Sequence, residues 1–233
     1  MEILIADDRK LPLAESYQTI LAALPEEERL RAEKYYRQAD RLRCAAGAFL
    51  IRQCVKNACG KNARFTIARS EHGKPYVREY PALHFSLSHS GNLIVCAQAD
   101  CEAGVDAEKI SAVRLSDYAE FLSADELLRL RNEKSPDAEF FRIWTVKEAF
   151  AKKTGIGLPL YDRAAPAFDY NRGRAALHGQ TSYFRTFRLD GHIISICADS
   201  EIPDIRPHFI TKSEQYQAHY INNSIFIRAF IGF

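Results

Sequence analysis

The chain has 233 residues, 47% of them hydrophobic and 27% charged, and its formal net charge is +2. That apolar content supports a substantial core and excludes a disordered chain. The near-neutral balance excludes broad electrostatic capture of nucleic acid, while leaving room for a local basic pocket that takes a phosphorylated small molecule.

Residues 2–6 read as a first strand. Pro25-Glu26-Glu27-Glu28 then opens a helix, with proline in the first turn and acids at the positive end of the dipole. The helical pattern runs, with a break near Asp40, to about Asn57. Ala45, Ala46, Ala48, Phe49, Ile51 and Val55 give it an apolar side, and Gly60 stops it. Residues 65–68 suggest a short strand and His72-Gly73-Lys74-Pro75 a turn. Leu83 to Ser88 alternates as a half-buried strand should, Ser90-Gly91-Asn92 turns, and Leu93 to Ala97 is a more buried strand. A third, Gly104 to Glu108, follows Asp100-Cys101-Glu102, so an antiparallel meander is predicted.

The second half restarts the pattern. Ser123-x-x-Glu126 is a capping box for a helix through Arg131. Ser135-Pro136 precedes a longer helix, about Asp137 to Lys153, ended by Gly155 and Gly157. Strands recur at Ser182–Leu189 and His192–Ala198, joined by the hairpin signal Asp190-Gly191. Each half thus runs helices first and antiparallel strands second. The expected architecture is α+β, two similar α/β subdomains side by side with a crossover near residues 100–115. Their bounds are 1–103 and 104–202. Beyond Pro203 the tail 203–233 is apolar and rich in β-formers, which suits an added strand, a docking segment or a poorly ordered end.

None of the six cysteines is spaced C-x-x-C, and Cys44, Cys54 and Cys96 sit in apolar runs, where free thiols behave as small hydrophobes. The first residues lack a basic region followed by a long apolar stretch, and no run approaches the length of a membrane span. A soluble, cytoplasmic protein with reduced thiols is expected, with neither membrane nor nucleic acid as partner.

Four short segments carry the chemistry. On a strand, Asp106 and Glu108 project to one side while Val105 and Ala107 face the other. Two such carboxylates suit a hard divalent ion, although D-x-E alone is equally an ordinary strand edge. On a helix, Trp144, Lys147, Glu148 and Lys152 share a face, which sets a carboxylate among lysines or simply makes a surface ion pair. Phe85-Ser86-Leu87-Ser88-His89-Ser90 brings hydroxyls and an imidazole to a strand end, where they can donate to phosphate. Ser88 and His89 point to opposite faces and no G-x-S-x-G elbow is present, which argues against a serine hydrolase. Arg69-Ser-Glu-His-Gly73-Lys74-Pro75 is a basic turn without Walker spacing, in which Gly73 permits close approach of the backbone to a ligand.

In this order, a G-K-P turn, F-x-L-S-H-S, G-V-D-x-E and W-T-x-K-E-A-F-x-K-x-x-G-x-G-L, the segments resemble the surfactin-type (Sfp-type) 4′-phosphopantetheinyl transferases, over roughly residues 25–160. The resemblance implies a monomeric pseudo-dimer of two α/β subdomains that takes coenzyme A in the cleft between them. It implies Mg²⁺ as cofactor and, as partner, an acyl carrier protein or a peptidyl or aryl carrier domain. Asp106, Glu108 and Glu148 then resemble the metal-binding carboxylates, with Glu148 also the base and Lys152 the pyrophosphate contact. Ser88 and His89 resemble coenzyme A phosphate ligands, and Arg69, Gly73 and Lys74 the nucleotide-binding turn. Asp106 counts among the coenzyme A contacts too. Arg31 holds a position of basic phosphate ligands, and Arg43 is a weaker candidate of the same type. Ala107, Ser86 and Cys44 depart from the family's usual β-branched residue, asparagine and threonine. Another metal-dependent phosphoryl-transfer or hydrolytic enzyme, or a non-catalytic coenzyme A or carrier-binding module, are the competing readings.

Overall fold

The structure is a computed structural model that describes residues 1–7, 13–155, 166–203, 205–210 and 225–230, those after 203 by their backbone. The first half is built of strands β1 (Glu2–Asp7), β2 (Ile67–Arg69), β3 (Pro75–Val77), β4 (His84–Ser90) and β5 (Leu93–Ala99) with helices α1 (Leu13–Ala23), α2 (Glu26–Glu33) and α3 (Gln38–Cys59). The second contains β6 (Ala103–Lys109), a 3-10 helix (Leu115–Phe121), α4 (Ala124–Asn132), α5 (Pro136–Thr154), β7 (Ala167–Asp169), β8 (Arg174–Leu177), β9 (Gln180–Leu189) and β10 (His192–Ala198). Two strands of the tail, β11 (Ile205–Ile210) and β12 (Ile225–Phe230), return to the first half.

One sheet has the order β11-β12-β1-β5-β4-β3-β2, the other β6-β10-β9-β8-β7. All pairs are antiparallel except β1–β12 and β11–β12, which are parallel. The tail therefore adds strands. The predicted meander is corrected: β6 does not continue the sheet of β4 and β5. β1 occupies the free edge of β5, so the chain crosses at Asp100–Glu102 and β6 pairs with β10 instead. The helix break falls between Glu33 and Gln38 rather than at Asp40.

Alternation along β1 and β5 separates two cores. Leu4, Ala6, Ile94 and Cys96 face the helices, packing with Leu42, Leu50 and Phe85. Ile3, Ile5, Val95 and Ala97 face the other way, onto Val105, Ala107, Ile194 and Ile196 of the second sheet. The two halves therefore share a buried apolar seam. The far side of the second sheet receives α5 through Val146, Ala149, Phe150 and Cys197.

The capping box at Ser123 and Glu126 is complete in both directions. Gly155 ends α5 in the left-handed region, φ 74°, as a glycine stop should. Asp190 and Gly191 both have positive φ, as a two-residue hairpin of primed type requires. Gly157 and Leu158 lie outside the described residues.

Candidate active site

Gly104 decides how closely α5 approaches β6. A Cβ there would lie 1.9 Å from the carbonyl oxygen of Ala149 and 2.5 Å from the Lys153 nitrogen. Without a side chain at this position the helix lies directly on the strand. Asp106 and Glu108, two and four residues on, point to the same side. Glu148 and Lys152, one turn apart on α5, meet them there.

The Lys152 ammonium stands 2.6 Å from Asp106 Oδ1. The other oxygen, Asp106 Oδ2, is buried without a hydrogen-bond partner among the described residues. Burial pushes the Glu148 carboxyl above the usual carboxylate range; Asp106 and Glu108 add to the rise and Lys152 opposes it. Burial also raises Glu108, against the hydrogen bond from Ser90. Three acids with two raised pKa values and an orphaned oxygen lack positive charge. An oxygen-only donor set of this kind fits a hard divalent cation. Among the described residues no group of three or more His, Cys, Asp or Glu side chains is already gathered around a single ion position.

A series of hydroxyls joins this acid cluster to the first half. Ser86, Ser88 and Ser90 share one face of β4, opposite Phe85 and Leu87. The backbone N–H groups of Val105, Ala107 and Lys109 donate to them at 2.9, 3.2 and 3.0 Å. Ser88 donates a hydrogen bond to Asp106 at 2.8 Å and accepts one from Lys152 at 3.0 Å. The hydroxyl of Ser88 is thereby committed to the strand and the carboxylate.

The first half contributes basic groups. His89 is pushed below its ordinary value by desolvation and by the adjacent Arg43 and Lys152 charges. Arg43 also bonds Asp40 at 2.9 Å and the Gly91 carbonyl at 3.0 Å. Arg69 is lowered by burial and by the Arg31 guanidinium next to it, and it donates to the Gly73 carbonyl at 2.8 Å. A cavity of about 410 Å³ runs between the halves, lined by Arg69, His72, Gly73, Lys74, Glu148 and Lys152 among others. It carries cations along one wall and a carboxylate–ammonium pair on the other, which is the polarity of a site for a phosphorylated ligand handled near a metal.

Residues 10–101 match the family model described as 4′-phosphopantetheinyl transferase, N-terminal, and residues 102–197 that of the 4′-phosphopantetheinyl transferase superfamily. A 4′-phosphopantetheinyl transferase of Bacillus subtilis is 35% identical over 157 residues, covering 66% of this chain and 69% of that protein. The 4′-phosphopantetheinyl transferase psf-1 of Bacillus pumilus is 34% identical over 179 residues, covering 73% and 77%. The 4′-phosphopantetheinyl transferase Sfp of Bacillus subtilis strain 168 is 26% identical over 199 residues, covering 82% and 88%. The chain belongs to the Sfp-type 4′-phosphopantetheinyl transferases.

The two family matches meet at the crossover between the sheets, and together they span the two-subdomain α+β fold of this 4′-phosphopantetheinyl transferase. Not every residue grouped by helical spacing reaches the cleft. Lys147 is turned away from Glu148: its ammonium lies 2.6 Å from Glu126 and 2.5 Å from the Phe121 carbonyl, and Tyr170 donates to the same Glu126. This corrects the shared face, because neighbours on a helix are separated by about 100° and the second can serve another layer. Trp144 belongs to an aromatic wall with Tyr118, Phe140 and Phe141, around a cavity of about 460 Å³ whose rim holds Glu108 and Ser90. Lys74 lines the cleft, but its ammonium reaches Glu102 at 2.5 Å and the Lys153 carbonyl at 2.8 Å. Glu28, absent from the expected site residues, accepts a hydrogen bond from Arg52 at 2.6 Å close to Arg69. No motif marks this pair; only folding sets α2 against α3.

Proposed function

We propose that this enzyme moves the 4′-phosphopantetheine arm of coenzyme A onto a serine of an apo carrier protein, an acyl carrier protein or a peptidyl or aryl carrier domain, with Mg²⁺ as cofactor. The observation that carries the reading is the cluster of Asp106, Glu108, Glu148 and Lys152 beside a cleft that Glu148 and Lys152 line together with Arg69. The serine oxygen forms a bond to the β-phosphorus of coenzyme A. The bond from that phosphorus to the bridging oxygen breaks, and 3′,5′-ADP leaves.

Asp106, Glu108 and Glu148 would hold Mg²⁺, which when bound neutralises pyrophosphate charge. Glu148 would accept the serine proton. Lys152 is within reach of both the acid cluster and the cavity, so its ammonium can follow the charge that develops on the leaving phosphate. His89, Arg69 and Arg31 hold the nucleotide's phosphates. The cavity beside Glu108 offers the arm the rings of Tyr118, Phe140 and Trp144.

Glu148→Gln keeps the shape and removes the acceptor. Transfer, read as the mass gain of intact carrier, should fall by about 100- to 10,000-fold. Affinity for coenzyme A, read by calorimetry, should fall far less. A variant as active as the wild type would reject the role.

A further inference from the structure

Ser90 sits where three parts of the molecule meet. Its hydroxyl accepts the Lys109 N–H at 3.0 Å and donates to Glu108 Oε2 at 2.6 Å. Its carbonyl oxygen lies 3.1 Å from Nε2 of His192, whose Nδ1 is 2.9 Å from the Asp190 carbonyl. His192 is fully buried and belongs to β10, the strand that holds the other edge of β6. Gly91 makes room for the ring: a Cβ there would stand 3.0 Å from Nε2. The Glu108 carboxylate is thus aimed by a residue of the first half, itself held by a residue of the second.

The three serines of β4 differ in this respect. Ser86 meets the backbone of β6 but no carboxylate among the described residues. Ser88 aims Asp106, and Ser90 aims Glu108. A strand edge is ordinarily closed by carbonyls of another strand. Here hydroxyls close it, and a hydroxyl, unlike a carbonyl, has a proton to pass on. The same hydroxyl that accepts a bond between the halves therefore orients a carboxylate by donating a second.

We propose that Ser90 and His192 form a clamp across the subdomain seam that positions Glu108, and that through Glu108 the clamp sets the enzyme's affinity for its divalent cation. The inference rests on the reading of Asp106, Glu108 and Glu148 as cation ligands. Partners that orient a ligand carboxylate are commonly worth about 10- to 100-fold in metal affinity.

The test uses Mn²⁺ as a paramagnetic probe, with binding to the full chain read by electron paramagnetic resonance in the presence of coenzyme A. Ser90→Ala should weaken Mn²⁺ by about 10- to 100-fold. It should lower kcat while leaving KM for coenzyme A nearly unchanged. Ser90→Thr, which keeps the hydroxyl on a residue suited to a strand, should restore both. His192→Leu should shift Mn²⁺ affinity in the same direction by less. Ser86→Ala should lower the melting temperature and leave Mn²⁺ affinity as it is. If Ser90→Ala does not fold, Ser90→Cys is nearly isosteric and only a weak donor, and it should show the same loss. Wild-type Mn²⁺ affinity in a folded Ser90→Ala or Ser90→Cys overturns the clamp. A wild-type enzyme that binds no Mn²⁺ overturns the carboxylate reading, and the clamp with it.

Discussion

Glu148 carries an electrostatic burden before any ligand arrives. Burial raises its pKa, and Asp106 and Glu108 raise it further. A carboxyl whose folded pKa lies above its unfolded value favours the fold in its protonated form. Its contribution to stability is fully present below the unfolded pKa and is lost as pH rises through the folded one. Above its folded pKa the ligand-free enzyme therefore holds an ionised group at a cost, part of which Lys152 offsets. Glu148→Gln removes that charge. The substitution expected to abolish transfer should thus raise the melting temperature of the ligand-free protein at pH 8, by roughly 2–4 °C for each kcal/mol relieved. The gain should shrink as pH falls toward the carboxylate range. Scanning calorimetry across pH 4 to 8 checks this, and a Gln variant no more stable at pH 8 than at pH 4, relative to wild type, would count against the strained carboxylate. Active sites commonly trade stability for charge in this way.

At the scale of elements the site depends on one contact, α5 against β6, and on the residue that permits it. Gly104→Ala places a methyl against the Ala149 carbonyl, backbone on which no side-chain rotation can give way. The helix has to move, at about 1–3 kcal/mol. Glu148 and Lys152 move with it, away from Asp106. A displacement of about 1 Å at reacting groups can cost about 100-fold in rate. Gly104→Ala should therefore melt lower and transfer about 100-fold more slowly; a wild-type rate would show that the helix is placed by other contacts. The sequence revealed the partners in this contact but not the contact. Asp106 and Glu108 were legible from strand parity, α4 from its capping box, and the end of α5 from Gly155. The sheet to which β6 belongs was not, because alternation reads the same whether a strand joins its predecessor or crosses to another layer. Nor was the direction of Lys147, which helical spacing groups with Glu148 and packing turns to Glu126. β2 was expected at 65–68 and runs Ile67–Arg69, but β3, β7 and β8 have three or four residues each, too few for a period to declare itself.

The whole molecule is two halves held along one seam, apolar at its centre and hydrogen-bonded at its ends. One end is the serine series. At the other, Lys74 projects from the basic turn to Glu102 in the crossover and to the carbonyl of Lys153 near the end of α5. His84 reaches the same Glu102 at 3.1 Å, and Lys153 pairs with Asp199. A lysine expected from resemblance to bind nucleotide thus also bridges the halves. The two roles separate experimentally. If Lys74 only contacts ligand, Lys74→Met should weaken coenzyme A and leave the ligand-free protein's melting temperature alone. If it bridges, the ligand-free protein should lose about 1 kcal/mol, modest because Glu102 is half exposed to solvent. That corresponds to roughly 2–4 °C in melting temperature. A double-mutant cycle with Glu102→Gln assigns the loss to the bridge: the paired variant should melt little lower than Lys74→Met alone, since either change removes the same contact. Fully additive losses would reject the bridge. Coupled losses would mean that Lys74 and Glu102 act as one contact, bracing the basic turn against the crossover that leads into β6.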